Sequence, residues 1–333
     1  MQALKTAHAP HIRGKNSVQL IMLDVLIALL PATIAGIIFM GYRAALLIFV
    51  CIASSVLSEA LWQIFSKKSI TVSDLSATVT GLLLALALPV TLPLWMAAIG
   101  SAFAIIVVKQ FFGGLGGNFV NPALAGRAFL MVSWFAQMTR WTEPFTSLNI
   151  TNNVDVISTA TPLELLATPG ATLPSYLELF IGNVAGTIGE VSAVALLLGG
   201  IYLIARKVIN WKIPAAFIGT VVVGTFIFCG SNGLFAAPFG GLNFFGGDWL
   251  YHIIAGSLLL GAFFMATDPV TTPISQKGQV YFGIGCGIIT VIIRLWGGYA
   301  EGVMFAILLM NVATPLIDKI SMPKRLEAKG AKS

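Results

Sequence analysis

Between Val18 and Phe65 the chain runs for 48 residues with only Asp24, Arg43 and Glu59 charged. A soluble domain carries about 25% charged residues, whereas here 10% are charged and 57% are hydrophobic over 333 positions. That much apolar surface cannot be hidden at this length, which excludes a soluble globular enzyme and predicts an all-α integral membrane protein. The apolar run that follows the polar first 17 residues is too long for a signal peptide and lacks its small-residue cleavage site. The first span is therefore expected to stay in the mature protein. Cys51, Cys229 and Cys286 stand far apart in apolar stretches, so no disulfide framework, metal site or iron–sulfur site is read from them. No nucleic-acid module is visible, and the surplus of 19 Lys and Arg over 13 Asp and Glu speaks to orientation and anionic lipid.

Apolar segments approaching the roughly 20 residues that cross a bilayer fall near 18–40, 44–65, 75–89, 93–112, 122–138, 185–205, 213–229, 249–267, 279–295 and 303–320. Ten spans with a cytoplasmic N-terminus place sixteen of the 19 basic residues inside and leave Arg43, Arg140 and Arg294 outside, a strong positive-inside bias. Both termini are expected in the cytoplasm: residues 1–17 as a polar segment and 321–333 as a basic tail. The longest extramembrane piece, 139–184, then lies outside and is acidic, with Glu143, Asp155, Glu164 and Glu178 against Arg140. Function concentrates on such loops.

Two pairs of markers suggest a duplication. Pro89-Val90-Thr91-Leu92-Pro93 and Pro269-Val270-Thr271-Thr272-Pro273 are offset by 180 residues; Phe112-Gly113-Gly114 and Trp296-Gly297-Gly298 are offset by 184. The copies, 18–138 and 185–320, would hold five spans each. Since five is odd, they would be inverted relative to one another, the arrangement that sets binding sites at broken helices between halves. A related crevice is expected on each face. The inner one combines Pro269 to Pro273 with Gly113, Gly114, Gly116, Gly117 and Asn118; the outer one combines Pro89 to Pro93 with Gly297 to Gly302. Glycine lets backbone approach a ligand closely, although the same residues also serve as plain helix punctuation.

In the outer loop, Thr161-Pro162-Leu163-Glu164 reads locally as a helix start: Thr161 as N-cap, Pro162 at the first helical position, and Glu164 closing a capping box. That reading leaves Asp155, Ser158 and Ala160 unexplained. With them, the segment resembles the flavin acceptor, Asp-x-x-Ser-x-Ala-Thr, of the D subunits of Rnf (also called Rsx) ion-translocating electron-transport complexes. It is more distantly similar to the B subunit of the sodium-pumping NADH:quinone reductase. The resemblance extends over Pro10-His11-Ile12, over Gly113 to Arg127 with Asn118, Asn121 and Pro122, and over Thr267-Asp268-Pro269.

The resemblance implies FMN esterified through its phosphate to Thr161 by a dedicated flavin transferase. It also implies the A, B, C, E and G subunits as partners, the bacterial inner membrane with the flavin loop periplasmic, and electron transfer from ferredoxin to NAD coupled to Na+ or H+ transport. A bilayer core of about 30 Å is too far for one outer flavin to span. A second, non-covalent flavin, riboflavin in related families, is therefore expected in the inner crevice: Gly113 to Asn118, Asn121, Arg127, Thr267, Asp268, Thr271 and Thr272. Arg127 either neutralises an anionic cofactor there or pairs with Asp268, and Glu301 faces the outer flavin or an ion path. Asp24, Lys109 and Asp318 are read as snorkelling helix-end charges. The rival reading is a secondary transporter, which shares the inverted repeat and carries no chromophore.

Overall fold

A computed structural model describes residues 17–145, 159–168, 170–228, 247–297 and 301–321. The described residues form helices and connections, with no strand among them. Helix α1 (Val18–Met40) starts where the Ser17 hydroxyl accepts from the Leu20 amide and stops at Gly41, whose φ of 76° suits glycine. Helix α2 (Tyr42–Phe65) follows at once, then α3 (Ser76–Leu86). Helix α4 (Leu94–Phe103) continues as a π-helical stretch, Ala104–Gln110. Helix α5 (Pro122–Ser133) is capped by Asn121 with proline at its first position.

Short helices follow: α6 (Phe135–Met138), α7 (Pro162–Ala167) and α8 (Tyr176–Ile181). Then come α9 (Ala193–Ala205), α10 (Lys212–Phe228), α11 (Trp249–Ile254) and α12 (Leu258–Leu260), the last continued by a π-helical stretch, Gly261–Met265. Helices α13 (Gln276–Trp296) and α14 (Val303–Ser321) close the described chain.

Helices α1, α2, α13 and α14 are long and apolar enough to cross a membrane, and five shorter apolar helices accompany them. Rows of exposed Leu, Ile and Phe, such as Leu30, Ile34 and Ile38 on α1, face outward. Water would penalise that surface and lipid would not.

Glycines set the close packing. A Cβ on Gly81 of α3 would come 2.8 Å from the Cys51 carbonyl oxygen of α2, and one on Gly199 of α9 would come 2.1 Å from the Ala28 carbonyl oxygen of α1. The second contact joins the two halves of the chain, α1 against α9.

Three expected spans are not continuous helix. Helix α9 begins at Ala193 rather than 185. Upstream, the Ile188 and Gly189 amides donate to the Leu88 and Leu86 carbonyls, so this backbone pairs with the end of α3 instead of coiling on itself. The segment 122–138 breaks at Trp134, whose φ of −136° and ψ of 55° are not helical. The segment 249–267 breaks at Ala255 to Ser257, where Gly256 has φ +77°. Residues 1–16 and 322–333, most of the expected N-terminal segment and tail, lie outside the described residues.

Candidate functional site

Two polar crevices are built at helix ends and breaks. The first centres on Asn121. Its side-chain oxygen accepts from the Ala123 and Leu124 amides (3.0 and 3.2 Å), which caps α5, while its amide nitrogen donates to the Met265 carbonyl (3.2 Å) at the end of the second π-helical stretch. Asn311 of α14 accepts from the Asn121 backbone N–H (3.3 Å) and donates to the Thr271 carbonyl (3.2 Å). These bonds pin three chain segments to one point.

The cavity beside them, about 80 Å³, is lined by Asn118, Asn121, Thr267, Asp268, Ser76 and Lys109 among apolar neighbours that include Phe263 and Phe264. Both π-helical stretches therefore contribute to it, Lys109 from the first and the two phenylalanines from the second. Such stretches are rare and recur at functional sites.

Of the residues expected at this crevice, the structure gathers Asn118, Asn121, Thr267 and Asp268 around the cavity. Gly113, Gly114 and Gly116 adopt φ of +110°, +96° and +92° and, with Gly117, form the turn beside it. Thr271 and Thr272 stitch their own turn, donating to the Asp268 carboxylate (3.3 Å) and the Asp268 carbonyl (2.9 Å).

Arg127 is not there. It lies on the far side of α5 and pairs with Glu301 (2.7 Å) instead of Asp268, whose carboxylate is already taken by the Val270 amide and Thr271. Lys109 does not snorkel either: it is buried, with its ammonium 2.7 Å from Glu59 and 2.6 Å from the Ser76 hydroxyl, and Gln110 donates to the same Glu59 oxygen (2.7 Å). Asp24 and Asp318 do sit near helix ends, bound by Tyr202 and Arg206 and by the Ile274 amide respectively.

The second crevice centres on Thr161. Its hydroxyl accepts from the Glu164 amide (3.3 Å), and the Glu164 carboxylate accepts from the Thr161 amide (2.8 Å), so the capping box expected from the sequence is formed. Leu163 packs into a small cluster with Leu179, Tyr251 and Ala255, and the Tyr251 hydroxyl donates to the Pro162 carbonyl (3.4 Å). The cap thus sits on a braced platform.

Two cavities flank this cap, and Thr161 itself, a buried residue, lines only the smaller. A pocket of about 10 Å³ on one side is lined by Thr161, Glu190, Glu301 and Gly256. An open cleft of about 550 Å³ on the other is lined by Thr159, Ala160, Pro162, Leu165, Glu143 and Glu178. Asp155 and Ser158 lie outside the described residues. On α8, below the cleft, the Ser175 amide and hydroxyl hold the Glu178 carboxyl below its usual range, and the bond to Asp248 holds the Tyr176 phenol above its own.

Behind the small pocket lies a charged group that the sequence only half disclosed. Glu301 accepts from Arg127 (2.7 Å) and from Ser257 (3.4 Å), and Glu190 lines the same pocket. A Cβ on Gly256 would lie 3.3 Å from Arg294 Nη2 and 3.7 Å from Glu301 Oε1, so the chain break there lets backbone pass between the two. Glu190 was discoverable as the one charge between Val184 and Ile204.

These features define a class: a multi-helix membrane protein with two polar crevices at helix breaks, one of them opening beside a capped threonine. Comparison with known proteins is specific. The model of the family described as NQR2, RnfD, RnfE matches residues 5–327, and the chain belongs to that family. It is 48% identical, over 96% of its length and 93% of the relative's, to the D subunit of the Na+-translocating ferredoxin:NAD+ oxidoreductase complex of Acetobacterium woodii. It is 45% identical, over 95% and 93%, to the D subunit of the proton-translocating ferredoxin:NAD+ oxidoreductase complex of Clostridium ljungdahlii. To the D subunit of the ion-translocating oxidoreductase complex of Stutzerimonas stutzeri it is 38% identical, over 93% and 92%.

Proposed function

We propose that this chain is the D-type membrane subunit of an ion-translocating ferredoxin:NAD+ oxidoreductase complex and that it carries FMN as a phosphoester on Thr161. The observation that carries the flavin assignment is the place of Thr161. Its hydroxyl stands at the start of a braced helix, and the residues on either side of it, Ala160 and Pro162, open onto a cleft of about 550 Å³. That volume falls within the roughly 300–1,000 Å³ of small-molecule sites, and since Thr161 itself is 5% exposed and lines only the small pocket, its hydroxyl has to turn toward the cleft for the flavin to lie there. The bound flavin would supply one- and two-electron chemistry. The chain anchors it at Thr161, braces the anchor through Glu164 and Tyr251, and offers the cleft between Thr159 and Glu178 to the ring.

The finer architecture belongs to the same reading. Ten spans in two inverted five-helix repeats, 18–138 and 185–320, would flank an outer loop at 139–184, with both termini cytoplasmic in a bacterial inner membrane. The A, B, C, E and G subunits and a flavin transferase would be the partners. The coupling ion does not follow from similarity, because relatives of 48% and 45% identity are named for sodium and for protons.

Riboflavin at the Asn121 crevice is the second part of the proposal. The polar residues there suit a flavin's hydroxyls and ring nitrogens, but about 80 Å³ does not hold the ring, so the crevice as folded does not fit it and has to widen. Extraction from the folded protein should release non-covalent flavin if this part holds.

A denaturing gel under ultraviolet light tests the main reading. Protein made with the transferase should give a fluorescent band, lost in Thr161→Ala. It should be retained in Ser175→Ala, which removes a comparable capping box at α8. A dark wild-type band would return the chain to the transporter reading.

A further inference from the structure

Glu190 is only 8% exposed, and among the described residues its Oε1 has no hydrogen-bond partner. It faces a pocket of about 10 Å³ shared with Thr161 and Glu301, which is space for about one water molecule. A buried carboxylate with a bare oxygen is unfavourable unless a counter-charge or a water donor satisfies it. The pocket admits the water, and the counter-charges are close. Arg127 of α5 holds Glu301 at 2.7 Å, and Arg294 of α13 lies beside Gly256 with one guanidinium nitrogen on the His252 carbonyl (2.7 Å). The Tyr251 phenol and the buried His252 imidazole of α11 and the Glu164 carboxylate of α7 are the other titratable groups on the neighbouring helices. Two arginines and two glutamates share this layer, so its formal charges cancel, and any negative charge added near Thr161 upsets that balance.

We propose that Glu190 is a redox-linked proton site: it takes up one proton, through a water in the small pocket, when an electron arrives on a flavin anchored at Thr161. This rests on the flavin assignment above. In the step, one electron comes from a one-electron donor, dithionite in the test. An O–H bond of a hydronium in the outer water breaks, and one forms at Glu190 Oε1. The added negative charge is matched by one added proton, and reoxidation returns the proton to the water. Glu301 stays ionised because Arg127 and Ser257 hold it, so the two carboxyls divide their roles.

Redox-difference infrared spectroscopy on the flavin-loaded complex reads this directly. Reduction should produce a protonated-carboxyl stretch that shifts in D2O. That signal should be missing in Glu190→Gln, moved in Glu190→Asp, and unchanged in Asp318→Asn, an acid at the other end of α14 that lines neither cavity. Flavin fluorescence on the denaturing gel reports loading in every sample. A dark wild-type band therefore fails the flavin assignment, whereas a loaded wild type without the carboxyl signal overturns the proton site alone. So would a signal that survives in Glu190→Gln, or one that follows added sodium and ignores deuterium. If Glu190→Gln does not assemble, the wild-type spectrum and the Glu190→Asp shift still decide.

Discussion

The two crevices are made from similar parts and finished in opposite ways. At Asn121, helix ends are sealed by side-chain amides. The nearby Lys109 ammonium and one oxygen of Glu59 are bound by each other, Ser76 and Gln110, and the remaining cavity is small. At Thr161, a helix break and a loop leave a wide cleft, while a buried carboxylate oxygen lacks a donor at both ends, Glu59 Oε2 beside Lys109 and Glu190 Oε1 in the small pocket. Unsatisfied buried polar groups cost stability and persist where the site uses them. The Asn121 end is thus the more tightly closed of the two and the Thr161 end the more open. The two are also joined. Helix α5 carries Asn121 into one crevice and, about 9 Å of helical rise further on, Arg127 into the other; α14 likewise runs from beside Glu301 to Asn311.

The largest test of this division is Lys109→Met. The side chains of Lys109 and Glu59 are 2% and 1% exposed, so removing the ammonium strands a buried carboxylate. A loss of about 3–5 kcal/mol is expected, read as a fall in the thermal or detergent unfolding midpoint. Lys109→Met combined with Glu59→Gln should recover most of it, since no charge is then left unpaired. A loss below about 1 kcal/mol in the single variant would show that the Asn121 end is not held by its ion pair, and the comparison would break.

Arg127→Met tests the other end and should cost less, about 2 kcal/mol. The Glu301 side chain is 14% exposed and keeps its bond from Ser257, so water and hydroxyl take over part of the arginine's role. Fluorescent labelling at Thr161 should survive, because Arg127 touches neither the capping box nor the wide cleft. If Arg127→Met proves the more damaging of the two, the Thr161 end is the better closed one, and the order reverses.

How much of this is legible in the sequence depends on how local the deciding interaction is. The limits of α1 follow from Ser17 and Gly41, and the start of α7 from Thr161, Pro162 and Glu164, all set by neighbours within four residues. The Arg127–Glu301 pair joins positions 174 apart and the Lys109–Glu59 pair positions 50 apart. No periodicity links such residues, so the sequence alone leaves Arg127 between an anionic cofactor and Asp268 and points Lys109 toward the headgroups. The late start of α9 has the same origin: residues 188 and 189 spend their amides on α3, a long-range partner that apolar composition does not announce.

The smallest effect should come from Tyr251→Phe, and it separates the brace from the anchor. Tyr251 is 2% exposed, its ring meets Tyr176 edge-on at 6.3 Å, and its hydroxyl reaches the Pro162 carbonyl at 3.4 Å. Phenylalanine keeps the ring among Leu163 and Leu179 and removes only that long bond, worth about 0.5–1 kcal/mol. Global unfolding should scarcely move. The amide of Leu165, bonded to the Thr161 carbonyl at 2.8 Å, should exchange with deuterium a few-fold faster, while FMN attachment remains. Unchanged exchange would mean that α7 is held by its hydrophobic contacts alone. Loss of attachment would mean that the flavin transferase reads the platform as well as the threonine, and the Thr161 crevice would then be a recognition surface in addition to an anchor.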